Sequence, residues 1–249
     1  MHVIILSAGR GERLRPITDT IPKPLLEVGG EALIDRHIRR LADAGFKDIV
    51  INLSWLGEQI RTHVGDGSRY GVRVQYSDEG DTGLETAGGI RKAYDLLNDD
   101  SDDSQFVIVN GDLWTDYDFL QLKPLPAEQQ AHLVMVPNPD FLPRGDFEIH
   151  DGQISYPDPQ TGNETYTYSG ISVFRLSLFT DLPKGESLPL RAVLQPIIES
   201  GQVTGEVFTG SWFNIGSENI LNAARESATE KNSDSKNEQP SNTVASAEG

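Results

Sequence analysis

Residues 2–30 read HVIILSAGRGERLRPITDTIPKPLLEVGG, an apolar run followed by a loop rich in glycine, proline and basic residues. The apolar run is short and uninterrupted, which is typical of a strand buried on both faces of a sheet. The loop gathers Arg10, Arg13, Arg15 and Lys23 directly after that strand. Glycines let backbone N–H groups approach phosphate oxygens, and basic side chains add charge. The stretch therefore indicates a site for an anionic, phosphorylated ligand.

Two common phosphate-binding loops do not fit this stretch. A dinucleotide-binding G-x-G-x-x-G loop would need a third glycine where Leu14 stands, and it would continue as a helix where Pro16 stands. The G-x-x-x-x-G-K-S/T loop is absent from this region. The pattern disfavours a dinucleotide-dependent oxidoreductase and leaves a long loop of a third kind, in which Gly9 and Gly11 approach the phosphates.

Strand and helix patterns alternate after the loop. Residues 31–45 place apolar side chains on one helical stripe, and the apolar run of residues 105–110 predicts another buried strand. This order predicts an α/β fold with a mostly parallel sheet and helices on both faces. Beyond about residue 131, strand patterns separated by Gly, Asn and Pro predict an antiparallel or mixed extension. Ligands bind at the carboxyl ends of such strands, where the residues after Ser7 and Asn110 would meet.

Composition narrows the function classes. The formal net charge of −17 makes a broad nucleic-acid or anionic-membrane surface unexpected, and the absence of cysteine excludes disulfides and thiol catalysis. No window reaches the roughly 18 apolar residues of a membrane helix, and the start at Met1 shows no signal-peptide pattern, so we expect a cytoplasmic protein. Residues 227–249 hold one Val as their only large aliphatic residue and no aromatic residue. We therefore predict one domain over residues 1–226 and a disordered acidic tail over residues 227–249.

The loop resembles a known signature. GRGERLRPIT (residues 9–18) followed by PKPLLEVGGEALI (residues 22–34) is similar to the G-x-G-x-R-L-x-P-x-T and P-K-P pattern of sugar-phosphate nucleotidyltransferases. The resemblance covers residues 1 to about 225. It implies a Rossmann-like three-layer nucleotidyltransferase fold of the glycosyltransferase-A kind, with a mixed, mostly parallel sheet and a β-rich sugar-binding part.

The same resemblance implies the chemistry. LETAGGIRKAY (residues 84–94), VNGDLWTDYDF (residues 109–119) and YTYSGISVFR (residues 166–175) are most similar to members that join UTP and N-acetylmuramate 1-phosphate with Mg²⁺, releasing pyrophosphate, in cell-wall recycling. GTP with mannose 1-phosphate and dTTP with glucose 1-phosphate are the alternative substrate pairs. A non-catalytic nucleotide-sugar sensor is a further alternative, because Asn214 stands where many relatives place a metal-binding Asp.

Motif positions imply the roles of individual residues. Arg13 would hold the leaving phosphates, Lys23 would bridge the α-phosphate and the sugar phosphate, and Asp112 and Asn214 would bind Mg²⁺. The nucleotide-binding residues implied by the motifs are Leu6, Ala8, Gly9, Gly11, Glu12, Arg13, Lys23, Glu85, Ala87 and Gly88. The sugar-binding residues implied in the same way are Asn110, Gly145, Glu148, Ser169 and Gly170. The family's E-K-P motif is missing, so its lysine has no equivalent here, and Arg144 is the candidate partner for a carboxylate on the sugar.

Overall fold

The computed structural model describes residues 1–101, 103–140 and 142–237. The strands are β1 (His2–Leu6), β2 (Glu27–Val28), β3 (Glu31–Ala32), β4 (Asp48–Leu53), β5 (Arg73–Asp78), β6 (Gln105–Asn110), β7 (Leu113–Thr115), β8 (Ala131–Pro137), β9 (Phe147–His150), β10 (Gln153–Ser155), β11 (Thr165–Arg175), β12 (Val203–Val207) and β13 (Trp212–Asn214). The α-helices are α1 (Leu33–Asp43), α2 (Gly57–Val64), α3 (Glu85–Lys92), α4 (Tyr94–Leu97), α5 (Arg191–Glu199) and α6 (Glu218–Asn237). None of these helices is both long enough and apolar enough to cross a bilayer.

Among the described residues, nine strands form one mixed sheet in the order β5-β4-β1-β6-β11-β8-β12-β10-β9. The four strands from β5 to β6 pair in parallel, as the alternating strand and helix patterns predict. β11 then pairs antiparallel with both β6 and β8, and β9 pairs with both β10 and β11. The sheet thus joins a parallel half to the β-rich half that we predicted beyond residue 131.

Both faces of the sheet are covered, which explains the uninterrupted apolar strands. In β1, Val3 and Ile5 pack into one hydrophobic cluster with α1 and α2. Ile4 points to the opposite face and packs into a second cluster with α3, α4 and α5. Successive side chains of a strand point to opposite faces, so a strand between two helical layers must be apolar at every position. The three-layer α/β fold is therefore confirmed.

A third hydrophobic cluster attaches the glycine and arginine loop to the carboxyl-terminal part of the chain. It contains Leu14 and Leu26 from the loop, Trp114 from β7 and Ala228 from α6. Ala228 is buried, and its Cβ lies close to Gly29. Helix α6 accordingly continues past residue 226, where we predicted the domain to end.

The predicted disordered tail therefore differs from the structure over residues 227–237, which continue α6. Among residues 227–230 the buried side chain is Ala228, and an alanine in a polar segment gives no sign of packing in the composition. The rest of the predicted tail, residues 238–249, lies outside the described residues.

Candidate active site

A cavity of about 580 Å³ opens at the carboxyl ends of the four parallel strands. Strands β1, β4 and β6 contribute to it, together with the segment after β5, the loop after β1 and the start of α3. The residues lining the cavity are Leu6, Ser7, Ala8, Gly9, Arg10, Lys23, Pro24, Asn52, Ser54, Trp55, Glu79, Asp81, Thr82, Gly83, Glu85, Thr86, Asn110 and Asp112. The structure thus brings together the two regions, after Ser7 and after Asn110, that the sequence singled out.

The loop after β1 is fixed by its own contacts. Gly11 has φ +71°, and a Cβ there would lie 2.9 Å from the Thr18 side chain, so this position requires glycine. Thr18 Oγ1 donates a hydrogen bond to the Gly11 carbonyl at 2.8 Å, and Trp55 Nε1 donates to the Thr18 carbonyl at 2.9 Å. Ala8 and Gly9 line the cavity and make no hydrogen bond to another described residue. Their backbone N–H groups are therefore available to a ligand.

The three arginines of the loop divide into two kinds. Arg10 stacks on Trp55, with its guanidinium carbon 3.6 Å from the ring centre, and Arg15 pairs with Asp19 at 2.8 Å. These contacts give Arg10 and Arg15 a supporting role. Arg13 is exposed, and a Cβ added to Gly216 would lie 3.0 Å from its Nη2 atom, so the guanidinium lies over that glycine.

Gly11, Glu12 and Arg13 do not line the 580 Å³ cavity. Of the predicted nucleotide-binding residues in the loop, the structure therefore places Ala8, Gly9 and Lys23 on its wall. Arg13 lies outside that wall, beside the segment that contains Asn214.

Lys23 and Asp112 form an ion pair on the cavity wall. Lys23 Nζ lies 2.7 Å from Asp112 Oδ2, although the two residues are 89 positions apart in the sequence. Gly111 makes this approach possible: its N–H donates to the Leu6 carbonyl at 2.9 Å, and a Cβ there would lie 2.8 Å from that oxygen. Gly111 therefore lets the end of β6 lie close to β1, and two of the three predicted catalytic residues, Lys23 and Asp112, are in direct contact.

Asn214 lies beside Asp112. β13 pairs antiparallel with β7, which places Asn214 opposite Leu113, and the Ile215 N–H donates to the Asp112 carbonyl at 2.8 Å. The Asn214 Oδ1 atom is buried and has no hydrogen-bond partner among the described residues. A buried acceptor without a partner is costly, which makes this atom a candidate ligand for a cation.

The oxygen atoms of Asp112 and Asn214 suit Mg²⁺, but two side chains are too few for a site in which the protein supplies every ligand. The described residues contain no group of three or more His, Cys, Asp or Glu side chains that could hold a metal ion. Mg²⁺ usually takes one or two protein oxygens and completes its coordination with phosphate oxygens and water. Asp112 and Asn214 therefore remain the predicted metal ligands.

His37 lies behind this part of the site. It is fully buried in α1, as its place on the apolar stripe predicts. Burial lowers its pKa to about 4, and the nearby charge of Asp112 opposes that shift. The imidazole is therefore neutral at pH 7 and serves as packing.

A buried polar chain forms the far wall of the cavity. The Ser7 N–H donates to Asn52 Oδ1 at 2.6 Å, and Asn52 Nδ2 donates to Glu79 Oε1 at 2.7 Å. The other oxygen of Glu79 accepts from the Leu84 N–H at 2.6 Å. Sequence reasoning missed Asn52 and Glu79. The available signal was their position at the ends of two predicted strands, within INLS and SDEG.

The start of α3 is divided between the cavity and the core. Glu85 and Thr86 line the cavity, and Glu85 has φ +55° in the left-handed region. The N–H groups of Ala87 and Gly88 both donate to the Leu188 carbonyl, at 2.9 and 3.2 Å. The structure therefore does not bring Ala87 and Gly88 to the cavity, because the segment before α5 covers them.

A second cavity of about 560 Å³ adjoins the first and shares Thr86 and Asn110 with it. Its other lining residues are Gly145, Asp146, Phe147, Tyr156, Pro157, Tyr168, Leu190, Arg191 and Leu194. The β-rich half of the sheet therefore supplies a pocket next to the first one, as expected for the sugar side. Asn110 and Gly145, two of the predicted sugar-binding residues, line it.

The other predicted sugar-binding residues lie behind this second cavity. Glu148 is buried, and it accepts hydrogen bonds from Asn163 Nδ2 and the Asp158 N–H, both at 2.9 Å; these bonds lower its pKa. It therefore holds the loop after β10. Ser169 is also buried, and its carbonyl accepts from Trp212 Nε1 at 2.9 Å. Neither side chain reaches the cavity.

Gly170 packs against the Asn110 side chain. It has φ +85°, and a Cβ there would lie 2.5 Å from Asn110 Nδ2. The register between β11 and β8 also shifts between Tyr168 and Ile171, which marks a bulge at this point. Gly170 therefore leaves room for the Asn110 side chain.

The cation on the wall of the second cavity is Arg191. The predicted cation, Arg144, is exposed like Arg191, but it does not line this cavity. Arg191 begins α5, within a stretch that reads as an ordinary amphipathic helix, and no local motif marks it.

Comparisons with known proteins show the family of the chain. A family profile described as nucleotidyl transferase matches residues 2–145. The chain is 44% identical over 220 residues to the N-acetylmuramate alpha-1-phosphate uridylyltransferase of Neisseria meningitidis serogroup B, covering 87% of this chain and 93% of that protein. It is 28% identical over 225 residues to the protein of the same name from Caulobacter vibrioides, covering 86% of this chain and 90% of that protein.

Solved structures share the fold. HddC from Yersinia pseudotuberculosis superposes with a TM-score of 0.73 at 23% identity, covering 91% of this chain and 98% of that one. At this level of identity the likeness concerns the fold alone, and it agrees with the mixed α/β sheet described above.

Proposed function

Since this chain belongs to the nucleotidyl transferase family, we propose that it joins UTP and N-acetylmuramate 1-phosphate to give UDP-N-acetylmuramate and pyrophosphate. Family membership makes it a sugar-1-phosphate nucleotidyltransferase; the choice of UTP and of the muramate substrate is the proposal. The choice is supported by the names of the relatives from Neisseria meningitidis and Caulobacter vibrioides. A product of this kind would return a cell-wall sugar to biosynthesis.

The observation that carries the proposal is the Lys23–Asp112 pair beside the junction of two cavities. The pair lies on the wall of the first cavity, and Asn110 at the end of the same strand is shared by both. In the proposed reaction, an oxygen of the sugar phosphate attacks the α-phosphorus of UTP. The bond from that phosphorus to the bridging oxygen breaks, and its electron pair leaves with pyrophosphate. Such a reaction needs two anions held together, which two adjoining pockets and a cation on the wall of the first would provide.

The residues of the chain would divide the work. Lys23 would offset the charge of the two reacting phosphates, and the free N–H groups of Ala8 and Gly9 would bind phosphate oxygens. Arg13, whose guanidinium is exposed, would hold the departing phosphates in the bidentate manner that suits arginine. The polar chain through Asn52 and Glu79 would orient the pocket for the base.

Asp112 and Asn214 would hold Mg²⁺. The bound ion would supply positive charge that stabilises the negative charge on the transferring phosphoryl group. The unpartnered Asn214 Oδ1 supports this assignment.

Pyrophosphate release across a grid of nucleotides and sugar phosphates tests the proposal. We expect the highest kcat/KM with UTP and N-acetylmuramate 1-phosphate in the presence of Mg²⁺, and we expect Asp112→Asn to abolish turnover. A preference for GTP with mannose 1-phosphate, or for dTTP with glucose 1-phosphate, would replace the substrate pair. Firm binding of nucleotide sugars with no turnover of any pair would instead identify a sensor.

A further inference from the structure

The wall of the second cavity combines aromatic rings with one cation. Phe147 and Tyr156 pack together with ring centres 5.5 Å apart, and the guanidinium carbon of Arg191 lies 5.7 Å from the centre of the Tyr156 ring. Asp146 is the other charged residue of the lining, and one of its carboxylate oxygens already accepts the Tyr168 N–H at 2.9 Å. Arg191 forms no ion pair with a carboxylate among the described residues.

An arginine in this position is informative because the protein as a whole is strongly acidic. The chain carries a formal net charge of −17, and the cations that line the first cavity are engaged: Lys23 pairs with Asp112, and Arg10 pairs with Asp19 at 3.7 Å. Beyond its contacts with Tyr156, Arg191 has hydrogen-bond donors left for a ligand. A guanidinium is planar and matches a carboxylate through two parallel hydrogen bonds.

The proposed substrate has a group that matches this cation. N-acetylmuramate differs from N-acetylglucosamine by a lactyl ether on one hydroxyl, and that ether ends in a carboxylate. With the 1-phosphate near Lys23, the sugar ring would occupy the second cavity. A carboxylate placed against the aromatic wall of that cavity would lose hydrating water, and a nearby cation would offset the cost of that loss. The rings of Tyr156 and Phe147 would contact the apolar part of the lactyl group.

We infer that Arg191 binds the lactyl carboxylate and makes this pocket select a muramate over a glucosamine. The inference rests on the proposed function and names the residue that determines its sugar specificity. It replaces Arg144, which lies off the cavity, as the partner of that carboxylate.

The test compares Arg191→Gln with the wild type on two sugar phosphates, N-acetylmuramate 1-phosphate and its neutral methyl ester. The wild type should prefer the acid, and Arg191→Gln should lower kcat/KM for the acid about 10- to 100-fold, through KM, while leaving kcat/KM for the ester within about threefold. The KM for UTP should not change. Arg191→Lys should recover part of the preference, because it restores the charge without the planar fork.

Arg144→Gln is the matched control, since it removes the same charge from an exposed residue outside the cavity. It should leave both substrates unaffected. The inference is overturned if Arg191→Gln keeps the wild-type preference for the acid, or if it impairs the acid and the ester equally. If the wild type does not use N-acetylmuramate 1-phosphate, both the inference and the proposed function are refuted. If the wild type uses it and the Arg191→Gln variant uses it equally well, only the role of Arg191 is refuted.

Discussion

Replacing Lys23 with Met removes the cation that pairs with Asp112 on the wall of the first cavity. Two unit charges 2.7 Å apart attract by about 6 kcal/mol at an effective dielectric constant of about 20. The loss of hydration offsets most of this attraction. Asp112 keeps about a quarter of its side-chain surface in water (24%), so it can regain solvent when Lys23 is gone. We therefore expect the free energy of unfolding to fall by only about 1–2 kcal/mol.

The effect on turnover should be much larger, because a cation aimed at developing phosphate charge contributes mainly in the transition state. Loss of one such group lowers kcat/KM by about 10²- to 10³-fold. Pyrophosphate release gives kcat/KM, and urea unfolding of the same preparation gives stability. Arg15→Met is the control: it removes one positive charge from the same loop, but Arg15 pairs with Asp19 at the surface. A loss of less than tenfold in Lys23→Met, or an equal loss in Arg15→Met, would refute the role assigned to Lys23.

Three further predictions follow from single residues. Asn214→Asp places a second carboxylate beside Asp112, so the half-saturating Mg²⁺ concentration for turnover should fall about tenfold; an unchanged or higher requirement would argue against Asn214 as a ligand. Gly170→Ala should lower the free energy of unfolding by about 2 kcal/mol and raise the KM for the sugar phosphate, because the added Cβ would displace Asn110. Gly162→Ala is the control: Gly162 also has a positive φ, but the space around its Cβ is open, so this variant should reduce stability alone. His37→Leu should flatten the pH dependence of the free energy of unfolding, measured in the presence of a metal chelator. The folded-state pKa of about 4 lies below the unfolded value of 6.5, so the wild type keeps its full stability above pH 6.5 and loses about 3 kcal/mol as the pH falls towards 4. Parallel curves for the two proteins would contradict this.

Local motifs predicted the part of the site that depends on one strand and the loop after it. Lys23 and Asp112 carry recognisable patterns around them, and the structure brings them to 2.7 Å. The apolar runs of β1 and β6 likewise predicted a sheet covered on both faces. In each case the residues that matter lie within a few positions of the signal.

The rest depends on contacts between distant segments, which one sequence does not display. Ala87 and Gly88 belong to a glycine-rich motif at a helix start, yet Leu188 occupies their N–H groups from about a hundred residues further along the chain. Glu148 resembles a ligand-binding carboxylate, but the loop around Asp158 uses its hydrogen-bonding capacity. Arg191 has no motif, because its role arises only when α5 packs beside the β-rich half.

The place of β11 in the sheet has a consequence for how the chain is made. β11 spans residues 165–175 and lies between β6 and β8, both of which precede it in the sequence. A nascent chain that has been synthesised only to the end of β8 contains β6 and β8 but lacks β11, the strand that lies between them. The open edge of β6 and the bare flanks of β8 could pair with another unfinished chain during that interval. Synthesis of β11 closes the gap, and the second cavity, which Tyr168 lines, can form only afterwards. Chains released before residue 175 would therefore be prone to aggregation and would have no place to hold a sugar.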